Sequence, residues 1–208
     1  MTTTKLDAVD NPKALVILAH GAGADMDHGF MEKITVLLNE RRLNVLRFNF
    51  PYMDKRRLDG KRYPPDRMPK LLACYQDIIN GHGSDLPVFL AGKSMGSRVA
   101  ATLAGEVQAK VKGVICLGYP FHPQKKPEKL RLEPLQETLL PTLIVQGERD
   151  ALGSKEEIAG YQLSDLCELV FFSDGDHDLK PRVKSGFSQD QHLQSAADEI
   201  LRFIDEKR

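Results

Sequence analysis

Short apolar runs recur along this chain, each broken off by a turn and followed by a stretch with helical spacing. They cover residues 14–19, 44–50, 87–91, 111–117, 142–146 and 167–172. The runs are continuously apolar and rich in Val, Ile, Leu and Phe, the character of parallel strands covered on both faces. Between them, Phe30, Ile34, Leu37 and Leu38 fall at helical intervals, as do Leu71, Tyr75 and Ile78, and then Val99, Leu103 and Val107. A last stripe, Leu193, Ala197, Ile200, Leu201 and Ile204, follows Ser188 and Gln191, which are spaced as a capping box; Ser154 and Glu157 offer another. This alternation predicts a single open, mostly parallel sheet of about six strands, with right-handed crossovers and helices on both faces. In such sheets ligands bind beyond the carboxyl ends of the strands, so every loop after a strand is a candidate wall of a site.

The 208 residues suit one domain, with residues 1–12 as a polar N-terminal tail. Lys+Arg and Asp+Glu are equal at 29 each, so nothing global points to a nucleic-acid or membrane partner. No apolar run approaches the ~20 residues of a membrane span, and residues 1–12 lack the apolar core of a signal peptide. Cys74, Cys116 and Cys167 are odd in number and lie in apolar stretches, as free thiols do in a reducing cytoplasm. The expectation is a cytoplasmic protein acting on a small molecule; its oligomeric state is not written in the sequence.

Four segments carry chemistry. Gly92-Lys93-Ser94-Met95-Gly96 stands between an apolar strand and a helix, the setting of a G-x-S-x-G nucleophile elbow, in which the serine occupies a strained turn and its neighbours must lack bulk. His20-Gly21-Ala22-Gly23 follows the first apolar run and would supply an oxyanion donor, the N–H of Ala22, beside that of Met95. Glycines there also suit an ordinary turn or a phosphate loop, but the spacing of a dinucleotide fingerprint is missing. Asp150, in Gln146-Gly147-Glu148-Arg149-Asp150, lies past a strand end, where a carboxylate can hold a histidine. Glu148 is its nearest rival, or pairs with Arg149 as surface charge. His177, in Asp174-Gly175-Asp176-His177-Asp178, follows the last run, and nucleophile, acid and base then come in the chain order this elbow takes. His192 and His82 suit the base role less well; His28 and His122, on loops at the same face, are candidate substrate contacts. No metal or organic cofactor is required, and zinc spacing is missing.

Residues 18–27, 47–53, 92–100 and 175–181 together resemble a family of compact, mostly bacterial α/β-hydrolases, to which the dienelactone hydrolases are more distant relatives. Its eukaryotic members include a testis-expressed protein and part of a chromatin-acetylation subunit. The resemblance spans nearly the whole chain. It implies the α/β-hydrolase fold without a large cap domain and, by position, Ser94, Asp150 and His177, but no substrate. Lys93 and Ser97 stand in the elbow where relatives often have other residues.

Residues 54–67, 125–131 and 178–184 are basic, with a combined charge of +8, and all follow strands. They are either solvated loop charge or an electropositive mouth that would draw an anionic substrate to Arg56 and Arg57. The connection 118–139 is short and rich in Pro, Lys and Glu, and 51–66 reads as a polar loop, so no apolar lid is expected. The residues point to a serine esterase or thioesterase acting on a small, anionic or neutral acyl substrate. The competing reading is a catalytically silent interaction module of the same fold; a peptidase lacks any pocket signal.

Overall fold

The apolar runs become strands because both of their faces are covered. The computed structural model describes residues 2–208, and its centre is a seven-stranded sheet in the order β1-β3-β2-β4-β5-β6-β7. The strands are β1 (Thr4–Asp7), β2 (Ala14–Ala19), β3 (Leu43–Phe48), β4 (Val88–Lys93), β5 (Gly113–Leu117), β6 (Thr142–Gly147) and β7 (Cys167–Phe172). All neighbours run parallel except β1, which is antiparallel to β3. Every residue of β2, β4, β5 and β6 is buried, which is why their sequences show no polar alternation.

Helices α1 (Gly29–Glu40) and α7 (Gln189–Lys207) cover one face. Their Phe30, Ile34, Leu38, Leu193 and Ile200 pack with Val16, Phe89 and Val145. The other face carries α2 (Pro51–Asp59), α3 (Met68–Gly81), α4 (Met95–Val107) and the short α5 (Glu133–Gln136) and α6 (Lys155–Ile158). There Leu71, Tyr75, Val99 and Leu103 pack with Leu15, Leu90, Cys116 and Ile144. Each such side chain contributes about 1.5–3 kcal/mol when fully buried. Both expected capping boxes form, at Ser154 with Glu157 and at Ser188 with Gln191. The β5–β6 connection holds one four-residue helix, α5, and no large cap covers the carboxyl end of the sheet. Among the described residues no helix is long and apolar enough to cross a membrane.

Two segments differ from the sequence reading. The polar tail, residues 1–12, contributes β1, the seventh strand, which pairs along the edge of β3 from Thr4 to Asp7. Its side chains are exposed or half-buried, so main-chain hydrogen bonds hold it and no hydrophobic pattern marks it. The expected loop at 51–66 is helical over Pro51–Asp59. Pro51 is pre-set for a first helical turn, but only Tyr52 and Met53 are buried, and a helix with so narrow an apolar contact reads as polar loop.

Candidate active site

β4 ends at Lys93 and α4 begins at Met95, so Ser94 alone must turn the chain. It does so at φ 53° and ψ −113°, outside the ordinary basins of a side-chain-bearing residue, a conformation costing on the order of 1–3 kcal/mol. The turn is tied on both sides: the Ser94 N–H donates to Leu117 O at 2.9 Å, and Ser97 Oγ donates to Ser94 O at 2.6 Å. A Cβ on Gly96 would stand 2.5 Å from Ala19 O and 2.7 Å from His20 O. The start of α4 therefore lies directly against the end of β2, and only glycine fits.

β2 leads into His20, which is fully buried. Its Nε2 accepts from the Phe50 N–H at 3.0 Å, so the ring proton sits on Nδ1, which donates to Gly21 O at 2.7 Å. Tyr52 Oη donates to Ala22 O at 3.0 Å. These bonds fix the 20–23 loop from beneath. Neither the Ala22 nor the Met95 N–H donates to any described residue, and both stand beside the serine turn, Ala22 in its cavity wall and Met95 next in the chain.

Burial pushes the His20 pKa down to about 4 from 6.5, so the ring is neutral at neutral pH. Between these two values the unfolded chain binds more protons than the folded one, so stability falls as pH drops from about 6.5 towards 4 and levels off below. The loss is about 3 kcal/mol for a shift of this size. Urea denaturation near pH 7 and near pH 4.5 should show it, and His20→Gln should remove most of the difference. An unchanged pH profile in the variant would mean that other groups carry the effect.

The other half of the site comes from the loops after β6 and β7. Asp150 is 1% exposed, and its Oδ2 accepts from His177 Nδ1 at 2.7 Å and from Gln146 Nε2 at 2.9 Å, while Oδ1 accepts from the Leu152 N–H at 2.8 Å. Gln146 Nε2 also lies 3.2 Å from Tyr119 O and 3.1 Å from Gly153 O, which sets its amide orientation. The two loops touch backbone to backbone: a Cβ on Gly147 would stand 2.2 Å from Asp176 O, and the Arg149 N–H donates to Gly175 O at 2.8 Å. Glu148, the rival acid, is bound elsewhere, to Lys155 at 2.8 Å and to the Asp174 N–H at 3.1 Å. Arg149 pairs with Asp174, not with Glu148.

Lys93 links the halves. Its side chain is 8% exposed, and Nζ donates to His177 O at 2.7 Å and to Asp178 Oδ1 at 3.1 Å. Burial holds its pKa below the usual lysine range, against the opposing pull of Asp178. A cavity of about 250 Å³ opens at this junction, lined by Ala22, His28, Phe30, Met31, Lys93, Ser94 and His177 among others. Ser94, His177 and the Ala22 loop thus share one space, with Asp150 behind the histidine.

His28 lines this cavity while capping α1, its Nδ1 accepting from the Phe30 N–H at 3.4 Å. Arg56, Arg57 and His122 lie outside it. Arg56 folds onto its own segment, bonded to Tyr63 O and lying over the Tyr52 ring at 5.1 Å. Arg57 pairs with Asp27 at 2.9 Å. His122 is buried in the β5–β6 connection, 3.3 Å from Glu157 Oε1. None of the Lys or Arg residues of the three basic runs lines the cavity; Arg182, for one, is engaged by Asp174. Among the described residues no three His, Cys, Asp or Glu side chains converge as metal ligands.

A model of the alpha/beta hydrolase domain family matches residues 12–205. The chain belongs to that family. Solved structures share the fold of this α/β hydrolase at low sequence identity. Dienelactone hydrolase from Anabaena variabilis superposes with a TM-score of 0.75 at 20% identity, over 99% of this chain and 92% of its own. Est1E from Butyrivibrio proteoclasticus, solved with ferulic acid bound, gives 0.70 at 19% identity, over 99% and 95%. An alpha-beta serine hydrolase homologue from Coxiella burnetii gives 0.68 at 21%, over 96% and 89%.

The sequence reading quoted His20, Gln146 and Lys93 within its segments but missed the parts they play in this hydrolase's site. Each is a polar residue at, next to or just past the end of an otherwise apolar strand. That is the signal that could have found them, since a buried polar side chain requires a partner.

Proposed function

We propose that this α/β hydrolase cleaves an ester or thioester of a small acyl substrate through a covalent intermediate on Ser94. The observation that carries the reading is His177, which shares the cavity with Ser94 while its Nδ1 is held at 2.7 Å by the buried Asp150. Ser94 Oγ attacks the carbonyl carbon as His177 takes its proton, and His177 then protonates the departing alcohol or thiol. Water, deprotonated by the same histidine, attacks the acyl-enzyme and releases the acid. Asp150 keeps the proton on Nδ1 in the resting ring and stabilises the imidazolium. The N–H groups of Ala22 and Met95 receive the oxyanion, each donor of this kind contributing about 3 kcal/mol.

The cavity argues for a short acyl group. At about 250 Å³ it lies somewhat below the usual ligand-pocket range, which starts at about 300 Å³, and Phe30 and Met31 give it an apolar wall. Its buried cation, Lys93, is matched by Asp178, so a carboxylate on the substrate gains no net attraction within the cavity. The basic runs act from a distance, where salt screens them. A panel of short and long acyl esters, matching thioesters and carboxylate-bearing analogues tests this. Short acyl chains should exceed long ones in kcat/KM by about tenfold or more, and neutral and carboxylate-bearing esters should differ by about threefold or less at low salt. Preference for long chains would refute the small-acyl reading. Absence of turnover across the panel, together with absence of organophosphonate labelling, would favour the silent interaction module.

A further inference from the structure

Buried and half-buried arginines in this protein have acceptors, with two departures. Arg41, Arg47, Arg56, Arg149 and Arg202 each donate to a carboxylate or carbonyl oxygen. The side chains of Arg98 and Arg131 donate to no described residue, and Arg98 Nε is fully buried. Both arginines line one cavity of about 390 Å³ between α4, α5 and the start of α3. This cavity shares no lining residue with the one at Ser94.

The two guanidiniums project from fixed supports. Arg98 stands on α4, one turn beyond Ser94. The backbone of Arg131 is clamped, its N–H donating to Phe121 O at 2.8 Å and its O accepting from Tyr119 Oη at 2.9 Å. Burial, and then the charge of Arg98, hold Arg131 below the usual arginine range. The Thr102 and Thr138 hydroxyls donate to backbone carbonyls at 2.8 Å and 3.0 Å, and neither accepts from Arg98 or Arg131. Glu133 and Glu137 border the cavity, but both are exposed, and neither forms an ion pair with a described residue. A buried guanidinium N–H without an acceptor, as at Arg98 Nε, is costly, and paired arginine forks match the geometry of carboxylate and phosphate.

We propose that this cavity binds a small organic anion, its oxyanion head, a phosphate or a carboxylate, held between Arg98 and Arg131. Its apolar body rests on Met68, Leu130 and Leu132, which line the same space. Arg131 belongs to the basic run 125–131, whose charge the catalytic cavity does not use.

Calorimetric titration of the full chain with phenyl phosphate, phenylacetate and neutral phenylacetamide tests the proposal, with the arginine Nε–H resonances of Arg98 and Arg131 followed by NMR. At least one of the two anions should bind and shift both resonances, and the amide should do neither. The tighter anion identifies the head group. Arg131→Gln should weaken binding by about tenfold or more. Arg131→Lys, which keeps the charge and loses the fork, should weaken it less and guards against a folding defect in the first variant. Unchanged affinity in Arg131→Gln would place the anion elsewhere and overturn the proposal. So would movement of the two resonances in ligand-free protein on Glu133→Gln with Glu137→Gln, because the arginines would then be serving their own glutamates. No arm depends on turnover, so failure here leaves the acyl-enzyme reading standing.

Discussion

Ser94→Ala should abolish labelling by an organophosphonate and lower turnover by roughly four to six orders of magnitude, with the fold unchanged. The size follows from the absence of a substitute: among the described residues no other hydroxyl or thiol lines the cavity. The fold should persist because alanine tolerates the turn at φ 53° about as well as serine does, and Ser94 Oγ holds no described residue in place. The backbone bonds to Leu117 O and from Ser97 Oγ do not involve the deleted atom. Intact-mass spectrometry reads the labelling, and thermal unfolding reads the fold. Full labelling of the variant would remove Ser94 from the mechanism.

Asp150→Asn should cost about ten-thousandfold in kcat, by the tautomer argument that holds for serine proteases. The local hydrogen bonds make the reason specific. All the donors around Asp150 point inward: the Leu152 N–H to Oδ1, and Gln146 Nε2 and His177 Nδ1 to Oδ2. An asparagine amide must turn its own NH₂ towards one side or the other. Facing Oδ2's partners, it forces His177 to give up its Nδ1 proton and opposes Gln146; facing Leu152, it leaves donor against donor there and, being neutral, still gives up the charge that stabilises the imidazolium. Either orientation should also destabilise the protein by about 1–3 kcal/mol, the cost of an unsatisfied buried group. Steady-state kinetics with urea denaturation checks both effects. Wild-type activity in the variant would shift the role to another carboxylate, against the engagement of Glu148 by Lys155 and the Asp174 N–H.

The sheet was legible because its strands are buried on both faces and announce themselves as unbroken apolar runs. The segments of Ser94, Asp150 and His177, which the structure brings to one site, stood out because they punctuate the ends of those runs. What failed to show had no apolar signature. β1 is held by main-chain pairing along an edge, and α2 buries only Tyr52 and Met53. The charge of the basic runs was countable, but its direction was not. Arg57 turns to Asp27, Arg182 to Asp174, and Arg131 to a different cavity, outcomes decided by neighbours distant in sequence. Three-dimensional pairing also separates the two acids of the 146–150 segment, which composition treats alike.

The close contact of Gly147 with the carbonyl of Asp176 sets a rule for recombining this protein with its relatives. The two chain segments it joins carry Asp150 and His177, and between them lie β7 and its approach. A crossover placed between residues 147 and 176 would take one segment from each parent, mating backbones that were never fitted so closely that a Cβ on Gly147 would stand 2.2 Å from Asp176 O. Chimeras should therefore keep function when the whole stretch from β6 through His177 travels as one inherited block, and lose it when that block is split. By the same reasoning, a library that diversifies the His177 loop alone will be dominated by inactive members unless the Asp150 loop is varied alongside it.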